Sequence, residues 1–240
     1  MLGVIPARYA STRFPGKPLV DIRGKSMIQR VYERCLQAET LAAVTVATDD
    51  QRIFEHVQAF GGEVCMTRSD HRTGTDRVSE VARTQSDFTH YLNIQGDEPL
   101  ISPDHIDALA RQFVQYPSCE IATLVCPFED AARIPLPQTV KVVVSQQGEA
   151  LYFSRSPIPF LRQADPALTY WQHLGIYGFS RDMLRRIPDL GPSLLEHAES
   201  LEQLRWLDHG FRIRVAQVKE AGIAIDTPED LAYLLAHWPE

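Results

Sequence analysis

Through its N-terminal half the chain alternates short β-rich runs with stretches of helical periodicity. Leu2–Ala7 reads as a strand, 27–38 as a helix and 43–47 as a second strand. Residues 50–60 then read as helical, 63–66 as extended, 75–84 as helical and 90–94 as extended. A helix between successive strands is the crossover that parallel pairing requires. The pattern therefore predicts an α/β fold with a mostly parallel central sheet and helices on both faces. Ligands of such sheets bind beyond the carboxyl ends of the strands, at a topological switch point. The residues that follow Ile5, Ala47 and Ile94 are thus the candidate site.

Beyond Ser102-Pro103-Asp104, a helix start with serine as cap and proline at the first helical position, the pattern changes. Residues 139–144 and 150–155 read as strands joined around Gln146-Gln147-Gly148, and 156–165 is proline-containing and irregular. Residues 173–179 read as extended and 194–208 as one helix, and Thr227-Pro228-Glu229-Asp230 repeats the helix-start logic. The expectation is one domain, 1–240, with 130–200 forming a lobe laid over the sheet.

Composition narrows the function classes. A chain of 240 residues with 44% hydrophobic side chains can bury a core without staples. Its four cysteines show no C-x-x-C pair, which disfavours a zinc site or disulfide framework and favours reduced thiols in a cytoplasmic protein. The opening apolar run is too short for a signal peptide, and none reaches the roughly 18 residues of a membrane span. A formal net charge of −7 argues against a general nucleic-acid binder. An anionic substrate must then be held by a local cluster of positive groups.

Such a cluster follows the first strand. The segment Ile5-Pro6-Ala7-Arg8-Tyr9-Ala10-Ser11-Thr12-Arg13-Phe14-Pro15-Gly16-Lys17-Pro18 gathers Arg8, Arg13 and Lys17 among small residues and a glycine. Small residues let backbone N–H groups approach a triphosphate, and the basic side chains supply its counter-charge. A solvated basic loop is the alternative. The dinucleotide fingerprint G-x-G-x-x-G is absent, and Gly24-Lys25-Ser26 fails as a P-loop because its first glycine would fall on Leu19.

Two acidic positions complement the loop. Gln95-Gly96-Asp97-Glu98-Pro99 sits at a strand exit, where a carboxylate beside a glycine suits a hard cation bridging phosphates or, equally, ends a strand by turn chemistry. Asp226 follows the apolar run Ile223-Ala224-Ile225 and directly precedes the last helix start. Thr73-Gly74-Thr75-Asp76-Arg77 can cap a helix, bind an anion at its N-terminus or hydrogen-bond a base. Further on, Arg155 suits bidentate pairing with a carboxylate or a surface ion pair. His173 and Tyr177 lie in an extended run. Glu202 and Gln203 flank an expected buried stripe of Leu194, Ala198, Leu201 and Leu204, free to meet a polyol or solvent.

In the order and spacing of these motifs the whole chain resembles the sugar nucleotidyltransferases, and more narrowly the cytidylyltransferases of 3-deoxy-2-keto acids. The resemblance implies a three-layer α/β sandwich with a smaller sugar-binding and dimerisation lobe, and a homodimer. It implies CTP and 3-deoxy-D-manno-octulosonate (Kdo) as substrates, CMP-Kdo and pyrophosphate as products for lipopolysaccharide biosynthesis, and Mg²⁺ as cofactor. Arg8 and Lys17 would hold the triphosphate, with the backbone from Ala7 to Ser11 lining the nucleotide pocket. Thr75 and Arg77 would recognise base and ribose, and Asp97 and Asp226 would bind the metal. Gln95 would meet nucleotide and sugar, and Arg155, His173, Tyr177, Glu202 and Gln203 the sugar. The rivals are a cytidylyltransferase of another acidic sugar (8-amino-Kdo or sialic acid), a non-catalytic nucleotide sensor, and a glycosyltransferase. The last predicts an Asp-x-Asp motif where this chain has Asp97-Glu98.

Overall fold

The computed structural model describes residues 1–10, 13–163, 165 and 167–238, so Ser11 lies outside the described residues. The chain divides into two compact units, Met1–Asp107 with Gly222–Glu240, and Ala108–Ala221. The segment 130–200 falls within the second of these.

The first unit opens with β1 (Leu2–Ala7), a small hairpin of β2 (Asp21–Ile22) and β3 (Lys25–Ser26), and α1 (Met27–Cys35). Then come β4 (Ala43–Thr48), α2 (Gln51–Ala59), β5 (Val64–Met66), α3 (Gly74–Thr84), β6 (His90–Asn93) and the start of α4 (Pro103–Gln115), whose residues from 108 on belong to the second unit. β1 pairs in parallel with β4 on one side and β6 on the other, and β4 pairs in parallel with β5. The direction of winding thus reverses at β1, and the crevice rule points to the loops that leave β1 and β6. β1 has the near-continuous apolar run expected of a strand covered on both faces, with Leu2, Val4 and Ile5 buried. α1 is capped by Ser26, whose hydroxyl accepts from the Gln29 N–H, and it buries Met27, Ile28, Val31, Tyr32 and Cys35 along one stripe. It ends at Cys35 rather than continuing to Ala38.

The second unit holds β7 (Ile121–Pro127), β8 (Lys141–Val144), β9 (Ala150–Ser154) and β10 (Trp171–Ser180). α5 (Arg181–Arg186), α6 (Leu194–Glu199), α7 (Gln203–Asp208) and β11 (Ile213–Gln217) follow. β10 runs antiparallel to β7 and β8, β8 and β9 form a hairpin, and β11 is parallel to β7. The chain then returns to the first unit and ends in α8 (Pro228–Ala236).

One expectation needs correction. Residues 194–208 form two helices, because Ser200 adopts a left-handed conformation at φ 51° that ends α6. The break turns the two halves to different surroundings: Leu201 and Leu204 are buried, whereas Leu194 is 87% exposed. The single four-residue stripe does not exist.

Candidate active site

The loop after β1 folds back on itself. The Gly16 N–H donates to the Tyr9 carbonyl at 3.0 Å. Gly16 takes a φ of 72°, and a Cβ there would come within 3.2 Å of the Tyr9 ring. Glycine is the residue that adopts this geometry without strain. The turn delivers Lys17 into a one-turn helix whose Pro18 is buried, so the side chain leaves from a fixed base.

Lys17 is the hub of the site. Its ammonium donates to Asp97 Oδ2 at 2.8 Å, to the Ile225 carbonyl at 2.8 Å and to Asp226 Oδ1 at 3.5 Å. Its side chain is only 14% exposed. Arg13 Nη1 lies 3.2 Å from the other oxygen of Asp226. Two cations and two carboxylates, more than 200 positions apart at the extremes, therefore meet at one place.

Each carboxylate is held by its backbone. The β1–β6 ladder continues through the Ile94 N–H, which donates to the Val4 carbonyl, and sends the chain out to Asp97. A Cβ on Gly96 would stand 3.2 Å from the Pro6 carbonyl, so glycine allows the two exits to close on each other. The Ile225 N–H donates to the Asp97 carbonyl at 2.9 Å, tying both acidic segments together. Asp230 accepts from the Asp226 and Thr227 N–H groups at 2.9 and 2.8 Å. Thr227 caps the Asp230 N–H in return, a reciprocal capping box that fixes Asp226 at the entry to α8. Next to Asp97, Glu98 is raised to about 7, by burial first and by the Asp97 charge second.

An open pocket of about 370 Å³ lies against this cluster, walled by Pro6, Ala7 and Arg8 from the β1 exit, Arg13 and Lys17 from the loop, and Gln95, Gly96 and Asp97 from the β6 exit. Asp97 and Asp226 converge on a single bound cation, the Lys17 ammonium, and the Ile225 carbonyl adds a third oxygen. An all-oxygen set of this kind fits a hard divalent ion. Among the described residues no group of three or more His, Cys, Asp or Glu side chains that could hold a metal occurs.

Arg8 leans the other way. Its guanidinium donates to the carbonyls of His71 and Thr73. Thr75 and Arg77 do not wall the pocket. Thr75 lies 1% exposed in the first turn of α3, behind the Thr73 cap. Arg77 is fully buried, donates to the Thr67 hydroxyl and pairs with Asp49 at 3.3 Å; burial lowers its pKa. It joins α3 to the ends of β4 and β5.

The residues expected at the sugar belong to the second unit. Arg155 donates through Nε, Nη1 and Nη2 to the carbonyls of Glu199, Pro137 and Ser200 at 2.7, 2.9 and 3.2 Å. It caps the end of α6, which leaves only part of the guanidinium for a substrate carboxylate. Lys141, a fully buried lysine absent from the sequence expectations, braces the same corner by donating to the carbonyls of Leu136, Thr139 and Arg155. Only its position between two valines on a strand marks it in the sequence, and that carries no signal. Glu199 was likewise missed; it accepts from the Ser154 hydroxyl and the Arg155 N–H at 2.6 and 2.9 Å.

His173 and Tyr177 pack together, ring centroids 5.4 Å apart, with Phe153 edge-on to the histidine. Burial lowers His173 to about 3 and raises Tyr177 well above its ordinary value, Glu202 adding to the latter. Glu202 pairs with Arg205 at 3.1 Å. Gln203 is 5% exposed rather than solvated, and its Nε2, like Trp206 Nε1, has no hydrogen-bond partner among the described residues.

The model of the cytidylyltransferase family matches residues 2–214. The 3-deoxy-manno-octulosonate cytidylyltransferase of Escherichia coli is 51% identical over 94% of this chain and 90% of its own length. The enzyme of the same name from Solibacter usitatus is 48% identical over 96% of this chain and 91% of its own length. The chain belongs to the 3-deoxy-manno-octulosonate cytidylyltransferase family. A solved CMP:2-keto-3-deoxy-manno-octonic acid synthetase, complexed with CTP, superposes on this member with a TM-score of 0.94 at 49% identity, covering 98% of this chain and 97% of that one. A cytidylyltransferase from Leptospira borgpetersenii, with a TM-score of 0.62 at 17% identity, shares the fold. The α/β architecture with a mostly parallel central sheet is therefore the one its 3-deoxy-manno-octulosonate cytidylyltransferase relatives use.

Proposed function

We propose that this protein is a CTP-dependent enzyme that activates Kdo, yielding CMP-Kdo and pyrophosphate for lipopolysaccharide assembly. The observation that carries the reading is the Lys17 ammonium held at 2.8 Å from Asp97 and 3.5 Å from Asp226 beside a pocket open at the β1 and β6 exits. Nearly full-length relatedness to enzymes of this name supports it.

The reaction joins the anomeric oxygen of the sugar to the α-phosphorus and breaks the α–β phosphoanhydride. Positioning and charge neutralisation dominate such transfers. Lys17 and Arg8 supply positive charge to the triphosphate, and the Ala7 and Gly96 backbone lets it approach. Asp97 and Asp226 would hold Mg²⁺. When bound, the ion offsets phosphate charge and lowers the pKa of a hydroxyl it touches. Arg13, its guanidinium on Asp226, is a further phosphate partner. No side chain stands out as a general base.

The sugar is read by Arg155, His173, Tyr177, Glu202 and Gln203 of the second unit. Large apolar side chains exposed on the second unit, Phe160 at 87% and Leu194 at 87%, support a homodimer formed through this lobe. No described helix is long and apolar enough to cross a membrane, and with the unpaired thiols this supports action in the cytoplasm.

Pyrophosphate release with CTP, Mg²⁺ and Kdo, set against UTP, 8-amino-Kdo and sialic acid, tests the reading. Turnover should be fastest with CTP and Kdo. Preference for another sugar would redirect the assignment, and CTP binding without any turnover would make the protein a sensor.

A further inference from the structure

Thr123 is a fully buried threonine in the middle of β7, outside every motif the sequence singled out. Opposite it the β10 ladder slips: Leu174 pairs with Leu124 and Tyr177 with Thr123, so Gly175 and Ile176 are extra residues in a bulge. The Thr123 hydroxyl sits among the groups the bulge displaces. It lies 2.8 Å from the Ile176 carbonyl, 3.2 Å from the Leu174 carbonyl and 3.0 Å from His173 Nε2.

A hydroxyl has one proton, and a carbonyl can only accept. If that proton went to His173, both carbonyl oxygens would face a lone pair of the threonine in a buried site, the nearer at 2.8 Å. Giving the proton to Ile176 removes that repulsion, and His173 must then donate from Nε2. The second ring nitrogen, Nδ1, becomes an acceptor, and among the described residues none hydrogen-bonds to it. The ring is clamped in this orientation between Phe153 and Tyr177, at 4.9 and 5.4 Å.

We propose that Thr123 is a positioning residue for sugar recognition: it fixes His173 as the Nε2–H tautomer, so that Nδ1 accepts a hydrogen bond from a sugar hydroxyl. His173 then reads the polyol and does not pair with the sugar carboxylate. The depressed pKa of His173, about 3 through burial, agrees with an uncharged ring at neutral pH. This deepens the Kdo reading and rests on His173 facing the sugar.

Nitrogen-15 NMR of histidine-labelled, full-length enzyme without substrate tests the tautomer directly, His173→Asn identifying the signal. The expected result is the Nε2–H pattern, unchanged between pH 5.5 and pH 8. Thr123→Val should mix or invert the tautomers and raise KM for Kdo about tenfold, the worth of one neutral hydrogen bond. KM for CTP should stay within about twofold, and Thr123→Ser should restore both readouts. An Nδ1–H or charged His173 in the wild type overturns the proposal. The Nε2–H tautomer combined with an unchanged Kdo KM in His173→Ala overturns it differently, by removing His173 from the sugar while leaving CMP-Kdo synthesis intact.

Discussion

Lys17 is informative because one ammonium satisfies two carboxylates and a carbonyl. Replacing it with methionine keeps the bulk and removes the charge. Turnover in Lys17→Met should fall roughly 100- to 1000-fold, the range seen when one preorganised charge-stabilising donor is lost. Steady-state pyrophosphate release measures this, with circular dichroism confirming an intact fold. Asp97→Asn should be comparably inactive, and near wild-type rates at saturating Mg²⁺ would remove Asp97 from the metal site. His173 carries a different consequence, in stability. Its folded-state value of about 3 lies below the ordinary 6.5, so below 6.5 the unfolded chain binds a proton that the native ring refuses. Stability is fully present above 6.5 and is lost progressively as pH falls toward 3. Urea unfolding at pH 7.5 and pH 5 should show the wild type losing up to about 2 kcal/mol more than His173→Asn over that interval.

Elements aim these side chains through their ends. The short strand β1 and the capped start of α8 were legible, since apolar runs and Thr-Pro-x-Asp punctuation are local signals. The break at Ser200 was not, because a non-glycine residue at φ 51° has no local signature and the helical periodicity runs on through it. Strands β7 and β11 were passed over for a related reason. β7 is an apolar run buried along nearly its whole length, and such runs do not alternate. The α8 cap yields an element-scale prediction. Asp230 does not wall the pocket but accepts from the Asp226 N–H, the Thr227 N–H and the Thr227 hydroxyl. Asp230→Ala should cost about 1 kcal/mol of stability through the lost cap. It should also lower kcat, by letting Asp226 drift, more than it raises KM for Kdo. Thermal melts and initial rates at saturating sugar separate the two effects.

For the whole molecule, the homodimer expectation now has particular residues to test. Phe160 and Leu194 expose their side chains on the second unit, where water contact is unfavourable for groups of that size. The double variant Phe160→Glu, Leu194→Glu should sediment as a monomer in analytical ultracentrifugation while the wild type sediments as a dimer. By itself the sequence determined the α/β class, the loop after the first strand and the acidic strand exit, since hydrophobic period and turn chemistry act between near neighbours. It also marked Asp226, but not the reason for its placement. Tertiary structure alone decided that Lys17 reaches Asp226 across the length of the chain, that Arg77 is turned inward onto Asp49, and that Arg155 caps a helix end. Those outcomes depend on which side chain finds a partner in three dimensions once the backbone is fixed. A buried charge or donor must be satisfied wherever the fold brings a matching group.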